Sequence, residues 1–222
     1  MGVGGVVSIL VKQSLSPNHY KGRKGKEIIA IVNHITAGLM PGCLSWLCNP
    51  QAKASSHYLV TRKGEVYQLV KDEDIAWHAG FVNKPSWVLY DGTNPNYYTI
   101  GIEHEALVGD SLTVEQYWAT LRLHQMLIEK HNIPIDNNHI IGHYRIDSVN
   151  RPNDPGSKFP WNKLLNDLKD GDKMNIDQAL AIMVKNKIIN SPDYWLKATE
   201  VVKYLDVLII NTAKELNNRM VK

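Results

Sequence analysis

Three side chains, far apart in a chain of 222 residues, have the types and local settings of a hydrolytic metal site. His34 ends the apolar run at 27–33 (EIIAIVN) and is followed by Thr36, Ala37 and Gly38. His143 closes the short apolar stretch IIGH, and Asp154 follows in the rigid context NDPG. Two neutral imidazoles and one carboxylate would fill three corners of a tetrahedral zinc and leave the fourth for water, the open coordination that hydrolysis needs. The chain holds nine histidines, and a lone histidine is ordinarily packed or solvated, so position must carry the argument. An imidazole at the C-terminal end of a buried strand projects at the sheet edge where open sites form. Long-range spacing alone does not define a ligand set, and at this point the metal reading stands beside that of packed histidines.

Such side chains need a sheet to position them. The run at 27–33, nearly continuous in apolar and β-branched residues, reads as a strand buried on both faces. Segments 57–61 and 66–70 flank Arg62-Lys63-Gly64-Glu65 and read as a hairpin. Residues 98–105 (YTIGIEHE) alternate as a further strand, with Gly101, Glu103 and Glu105 on one face and Ile100, Ile102 and His104 on the other. Thr113 and Gln116 form a capping box that opens a helix, and Val114, Tyr117, Trp118, Leu121 and Ile128 give it a buried stripe that stops before Pro134. From 139 to 161, Pro152, Pro155, Gly156 and Pro160 exclude regular structure and leave a loop with something to hold. Strands interleaved with helices predict an α/β core.

Apolar residues at 44% and charged residues at 21% are ordinary for a globular chain and argue against disorder or membrane insertion. A net charge of +3, with no basic stripe, argues against nucleic acid as a partner. The apolar stretch at 3–11 is broken by Ser8, has no basic segment before it and is too short to span a bilayer, so no signal peptide is expected. Cys43 and Cys48, in GCLSWLC, are too few for a disulfide framework and lack the second pair of a zinc knuckle; reduced, packed thiols are expected. Near Lys169-Asp170-Gly171-Asp172 the pattern turns polar and then purely helical. Residues 1–169 are therefore expected as one domain, 170–173 as a linker and 174–222 as a small all-helical domain. Asn175 and Ser191-Pro192-Asp193 mark helix starts. Ala198, Val201, Val202, Leu205, Leu208, Ile209, Ala213 and Leu216 predict one long amphipathic helix.

The stretches IVNHITAG, SSHYLVTRKGEVYQLV, IAWHAG, IGIEHE and IGHYRIDSVNRPNDPG occur in this order and together resemble the N-acetylmuramoyl-L-alanine amidases of the amidase-2 family, which includes phage lysozymes of the T7 type and the peptidoglycan recognition proteins. The likeness spans roughly residues 10–168. It implies a central mixed β-sheet flanked by helices, one Zn2+ held by His34, His143 and Asp154, and Glu103 as the residue that activates water. A carboxylate on that strand face can serve as general base and later protonate the amine. Glu105 is the fallback, against a solvated or salt-bridged side chain. Many relatives carry a lysine two residues before the third ligand, where this chain has Pro152; Arg151, one residue further back, is the candidate cation for the oxyanion. His57 and His78 lie in motifs that line the substrate groove in relatives, or else act as hydrogen-bonded structural groups behind it. Trp77 and Trp87 read as core.

The resemblance implies hydrolysis of the amide between N-acetylmuramic acid and L-alanine in bacterial peptidoglycan, with lysis as the outcome. The alternative is a non-catalytic peptidoglycan-binding module of the same fold, which would lack a full ligand set. Neither H-E-x-x-H nor P-C-x-x-C occurs, which argues against a zinc peptidase or a deaminase. A phage or prophage endolysin that acts on the wall after release by a holin or lysis is the expected source, and the C-terminal helices are expected to bind cell wall or form a homodimer.

Overall fold

The computed structural model describes residues 9–169, 176–202 and 205–220. The chain divides into two compact units, with the division between Lys169 and Asp170. In the first, β1 (Val11–Gln13), β2 (His19–Tyr20) and β3 (Ala30–Ile35) precede the short helix α1 (Gly42–Leu47). Then come β4 (Tyr58–Val60), β5 (Val66–Gln68), β6 (Ile75–Ala76) and β7 (Thr99–His104). The long helix α2 (Val114–His131), β8 (Ile140–Gly142) and α3 (Trp161–Lys169) complete it. Six strands form one mixed sheet in the order β1-β5-β4-β7-β3-β8, and β2 pairs with β6 apart from it.

The expected hairpin is present as the antiparallel pair β4–β5. β3 lies between β7 and β8 and is parallel to both, so its backbone bonds are satisfied on either side. Ala30, Val32 and His34 share one face of β3, and their partners on β7 are Thr99, Gly101 and Glu103. That face packs on Trp87, Tyr98 and Ile146. On the other side, Tyr117 and Leu121 of α2 meet Ile140, Phe159 and the Leu164, Leu165 and Leu168 row of α3. The β3 row facing Trp87 is therefore apolar along its length and becomes chemical only at His34.

Two local readings change. Thr113 Oγ1 caps the Gln116 N–H at 3.1 Å, but Gln116 does not reach back to complete a capping box; its amide donates to the carbonyls of Val60 (3.0 Å) and Glu105 (3.1 Å). Those carbonyls flank the ends of β4 and β7; the Val60 carbonyl also accepts the Glu105 N–H at 2.9 Å, and the claim of these carbonyls on a buried donor exceeds that of a helix-end amide with access to water. Val114, placed in the buried stripe, is 69% exposed, because the stripe begins one turn later at Tyr117. The stretch from 139 also opens with a strand, β8, before it becomes irregular.

In the second unit, α4 (Ile176–Lys185), α5 (Pro192–Val201) and α6 (Leu205–Met220) are helical. Ala179, Leu180 and Met183 pack on Ile209 and Ala213. The single long helix expected after Ser191 is divided: α5 ends at Val202, whose backbone is extended. Its apolar periodicity continues across the break, which is why the sequence does not reveal it. The expected linker at 170–173 and the Asn175 cap lie outside the described residues. Cys43 and Cys48 are both free thiols.

Gln116 joins the helix to the strand ends beside the site. Gln116→Leu should lower the unfolding free energy by about 1–3 kcal/mol, because it strands the Glu105 carbonyl in the interior and takes one of two donors from that of Val60. Urea denaturation of the variant and its parent measures the difference.

Candidate metal centre

Three adjacent parallel strands end side by side. His34 is in the last turn of the pleat of β3, Glu103 stands beside it in register on β7, and His143 directly follows β8. The carboxyl ends of parallel strands are where open sites form, because the connecting loops diverge there. Asp154 reaches the same point on the irregular loop. Its Oδ1 accepts the Ile35 N–H at 2.8 Å, and its carbonyl accepts the Tyr144 N–H at 3.1 Å. Gly142 permits this approach: a Cβ there would lie 2.7 Å from the Pro155 ring, so a larger residue would push the loop off the strand.

With Oδ1 held by backbone, Asp154 Oδ2 is left to face both imidazoles. It lies 3.2 Å from His34 Nδ1 and 3.1 Å from His143 Nδ1. Bonds of about 2.0–2.1 Å to a tetrahedral zinc would put its ligand atoms about 3.3 Å apart. The donor set and its spacing fit a zinc ion. The rings of His34 and His143 meet edge to face, 4.7 Å between centroids, and the three candidate ligand atoms all lie within 4.8 Å of one another. Burial alone would raise the Asp154 carboxyl, but His34 and His143 hold it well below the usual carboxylate range. Burial pulls the His34 imidazole down, and Asp154 more than offsets this, so the net shift is upward. The His143 ring is lowered, with burial the largest cause.

Glu103 supplies a second kind of chemistry. Its Oε2 is buried and has no hydrogen-bond partner among the described residues. Burial pushes its carboxyl up to about 7, with Asp154 adding to the rise and with His34 and Arg151 opposing it. A carboxyl poised near neutrality can take a proton and return it within one cycle. Glu105, the fallback, is removed from candidacy: it lies just past the end of β7, and its two oxygens accept the N–H groups of Met40 (2.9 Å) and Arg62 (2.8 Å). It is buried and, among the described residues, in no salt bridge; it ties two loops to the sheet.

The remaining expected residues separate. His78 lies on the cleft wall, with Nδ1 3.1 Å from His34 Nε2. His57, expected in the groove, is 0% exposed and behind it. Its Nδ1 accepts the Gly101 N–H at 2.9 Å, and Arg23 Nη2 lies 2.7 Å from its Nε2. Burial, with Arg23 next in weight, lowers the His57 imidazole to about 3, so it stays neutral within the core. It lies immediately before β4, beside β7, where its backbone N–H donates to the Gly101 carbonyl at 3.0 Å. Arg151 lines the exposed mouth of the cleft, and its charge lowers the pKa of His34, Glu103 and His143.

The cleft is open and encloses about 580 Å³; Trp46, Trp77, Val108 and Asn150 also line it. Trp46, 57% exposed on α1, carries no motif in the sequence and only its position reveals it. Trp77, read as core, is on the cleft wall, whereas Trp87 is in the core as expected. Asp147 was also not anticipated. It accepts from the N–H groups of Val149 (3.2 Å) and Asn150 (2.8 Å), and its own N–H donates to the His143 carbonyl at 3.0 Å, so it shapes the loop between His143 and Asp154.

The family profile described as N-acetylmuramoyl-L-alanine amidase matches residues 24–157, which contain every residue of this centre. The chain belongs to that family. It is 29% identical over 162 residues to N-acetylmuramoyl-L-alanine amidase A of Achromobacter lyticus, covering 64% of this chain and 84% of that protein. Over 120 residues it is 33% identical to the 1,6-anhydro-N-acetylmuramyl-L-alanine amidase AmpD of Haemophilus influenzae, covering 54% of this chain and 61% of that one. Among solved structures it resembles the Escherichia coli amidase AmiD, in complex with anhydro-N-acetylmuramic acid-L-Ala-D-gamma-Glu-L-Lys. The TM-score there is 0.55 at 28% identity, over 72% of this chain and 64% of that one.

Metal analysis of the purified amidase should return about one zinc per chain, as one three-ligand site implies. Asp154→Ala should return far less while its circular dichroism stays that of the parent.

Proposed function

We propose that this chain is a zinc-dependent amidase that cleaves the bond between the lactyl group of N-acetylmuramic acid and the L-alanine of the peptidoglycan stem peptide. The observation that carries the reading is the convergence of His34 Nδ1, His143 Nδ1 and Asp154 Oδ2 beside the unpartnered carboxyl of Glu103, in a cleft open to a polymer. Its relatives named as amidases of this bond, over most of the first unit, support the substrate. A complete ligand set supports an enzyme over a binding module of the same fold.

His34, His143 and Asp154 would hold the ion, and a zinc in that place supplies Lewis acidity toward a carbonyl and toward water. Glu103 takes a proton from the water that adds to the carbonyl carbon. As the carbon–nitrogen bond breaks, it gives that proton to the departing alanine amine, leaving a carboxylic acid on the lactyl group. Arg151, at the mouth, stands in for the lysine that Pro152 displaces and places positive charge toward the oxyanion. Asp154 oriented through Ile35 keeps its charge on the ligand oxygen.

We assign the site of action to the bacterial cell wall and the source to a phage or prophage endolysin. The C-terminal helices would attach to the wall or to a second copy. Tyr194, Val201 and Leu208 expose 67%, 83% and 62% of their surface there, which supports a surface that meets another.

Digestion of purified walls should release new L-alanine amines and no new reducing sugars; reducing ends in their place would exclude an amidase. Glu103→Gln should keep zinc and lose about 10²–10⁴-fold in turnover. Arg151→Ala should retain zinc with turnover down about 10–10³-fold; an unchanged rate removes Arg151 from the reaction.

A further inference from the structure

Behind His34 runs a chain of hydrogen bonds that the reaction does not use, and its direction can be worked out atom by atom. Thr99 Oγ1 lies 2.7 Å from the Pro95 carbonyl. A carbonyl only accepts, so the single hydroxyl proton of Thr99 is committed there. Toward His78 Nε2, 3.2 Å away, the same oxygen can then only accept, and Nε2 must carry a proton. No carboxylate is hydrogen-bonded to the His78 ring among the described residues, and a second proton would set a cation against the rings of His34 and His57. His78 Nδ1 is therefore a bare lone pair. It lies 3.1 Å from His34 Nε2, which must donate, and the proton of a neutral His34 then sits on Nε2. His34 Nδ1, facing Asp154, is left free to bind.

We propose that Thr99 and His78 form a positioning relay, anchored on the Pro95 carbonyl, that fixes the orientation and tautomer of His34 so that Nδ1 meets the metal unprotonated. The inference rests on the metal reading of the site.

Two further features hold the relay in place. A Cβ at Gly101 would lie 2.5 Å from His78 Cγ, so only a glycine on β7 lets the ring lie flat on the strand. Asn96 Oδ1 accepts the N–H groups of both His78 (3.3 Å) and Ala79 (2.7 Å), which fixes the backbone beneath the ring. The rings of His34 and His78 stand at 87°, with centroids 5.2 Å apart, so the lone pair of one points along the N–H of the other. Metal-bound histidines commonly donate their second N–H to a carboxylate, a carbonyl or water. Here the acceptor is a neutral imidazole whose own state is set two residues away in the chain of bonds.

The test is zinc affinity, measured by competition with a chromogenic chelator for the parent, His78→Leu, His78→Asn and Thr99→Val. Long-range proton–nitrogen spectra of the zinc-loaded parent accompany it. His78→Leu should weaken zinc binding about 10–100-fold. His78→Asn, whose Oδ1 can accept at the position of the lost Nδ1, should restore most of that affinity. Thr99→Val, which removes the oxygen that selects the His78 tautomer at almost constant volume, should fall below the parent and keeps the test open if His78→Leu does not fold. The spectrum should show His78 with its proton on Nε2. A proton on Nδ1, parental zinc affinity in His78→Leu or Thr99→Val, or an Asn variant as weak as the Leu variant overturns the relay. A parent that takes up no zinc overturns the metal reading itself, and the relay with it.

Discussion

The register of β3 between two parallel neighbours is the constraint on which the rest of the centre depends. Side chains along a strand alternate between faces, so a slip of one residue would send His34 into the layer beneath α2 and α3 and bring Asn33 to the cleft. What prevents the slip is ordinary packing. Ala30 and Val32 fit the layer built on Trp87 and Tyr98, and Ile31 fits beside Ile140 and Ile100 on the opposite side. The apolar residues that seem remote from the chemistry are thus the ones that aim it. Asp154 is coupled to the same strand through the Ile35 N–H, so the one candidate ligand carried by the long loop takes its position from the sheet as well.

Electrostatically, the centre separates two carboxyl groups that lie close together. Asp154 is held ionised by two imidazoles and a backbone N–H, while Glu103, whose buried Oε2 has no hydrogen-bond partner among the described residues, is raised toward neutrality. One environment suits a metal ligand and the other a proton carrier. The difference comes from what offsets burial: His34 and His143 together outweigh it at Asp154, whereas at Glu103 burial prevails over His34 and Arg151. Glu105 is a third outcome: with two amide donors it has become a structural tie.

Much of this was legible before any coordinates. His34, Glu103 and His143 could be placed because each ends or follows a short apolar run, and a parallel sheet translates that linear fact into a shared edge. The residues misplaced were those whose orientation depends on partners distant in sequence. His57 sits in a motif like that of His78, yet it faces Arg23 and the Gly101 amide, and nothing local distinguishes the two. Gln116 has the spacing of a capping box, but the carbonyls of Val60 and Glu105 claim its amide. Trp46 and Asp147 gave no signal because a cleft rim and a loop brace have no periodicity. The break between α5 and α6 was hidden for the opposite reason, since the apolar spacing runs through it unchanged.

Gly101 gives one motif a different meaning. In IGIE the acidic residue attracts attention as chemistry, and the glycine two positions earlier reads as filler. Its missing Cβ is the space that the His78 ring occupies. The two residues form a lock and key written in separate motifs, AWHAG and IGIE, which should change together across related chains. A relative with a side chain at the position of Gly101 has no room for an imidazole there, and the counterpart of His34 must find some other partner.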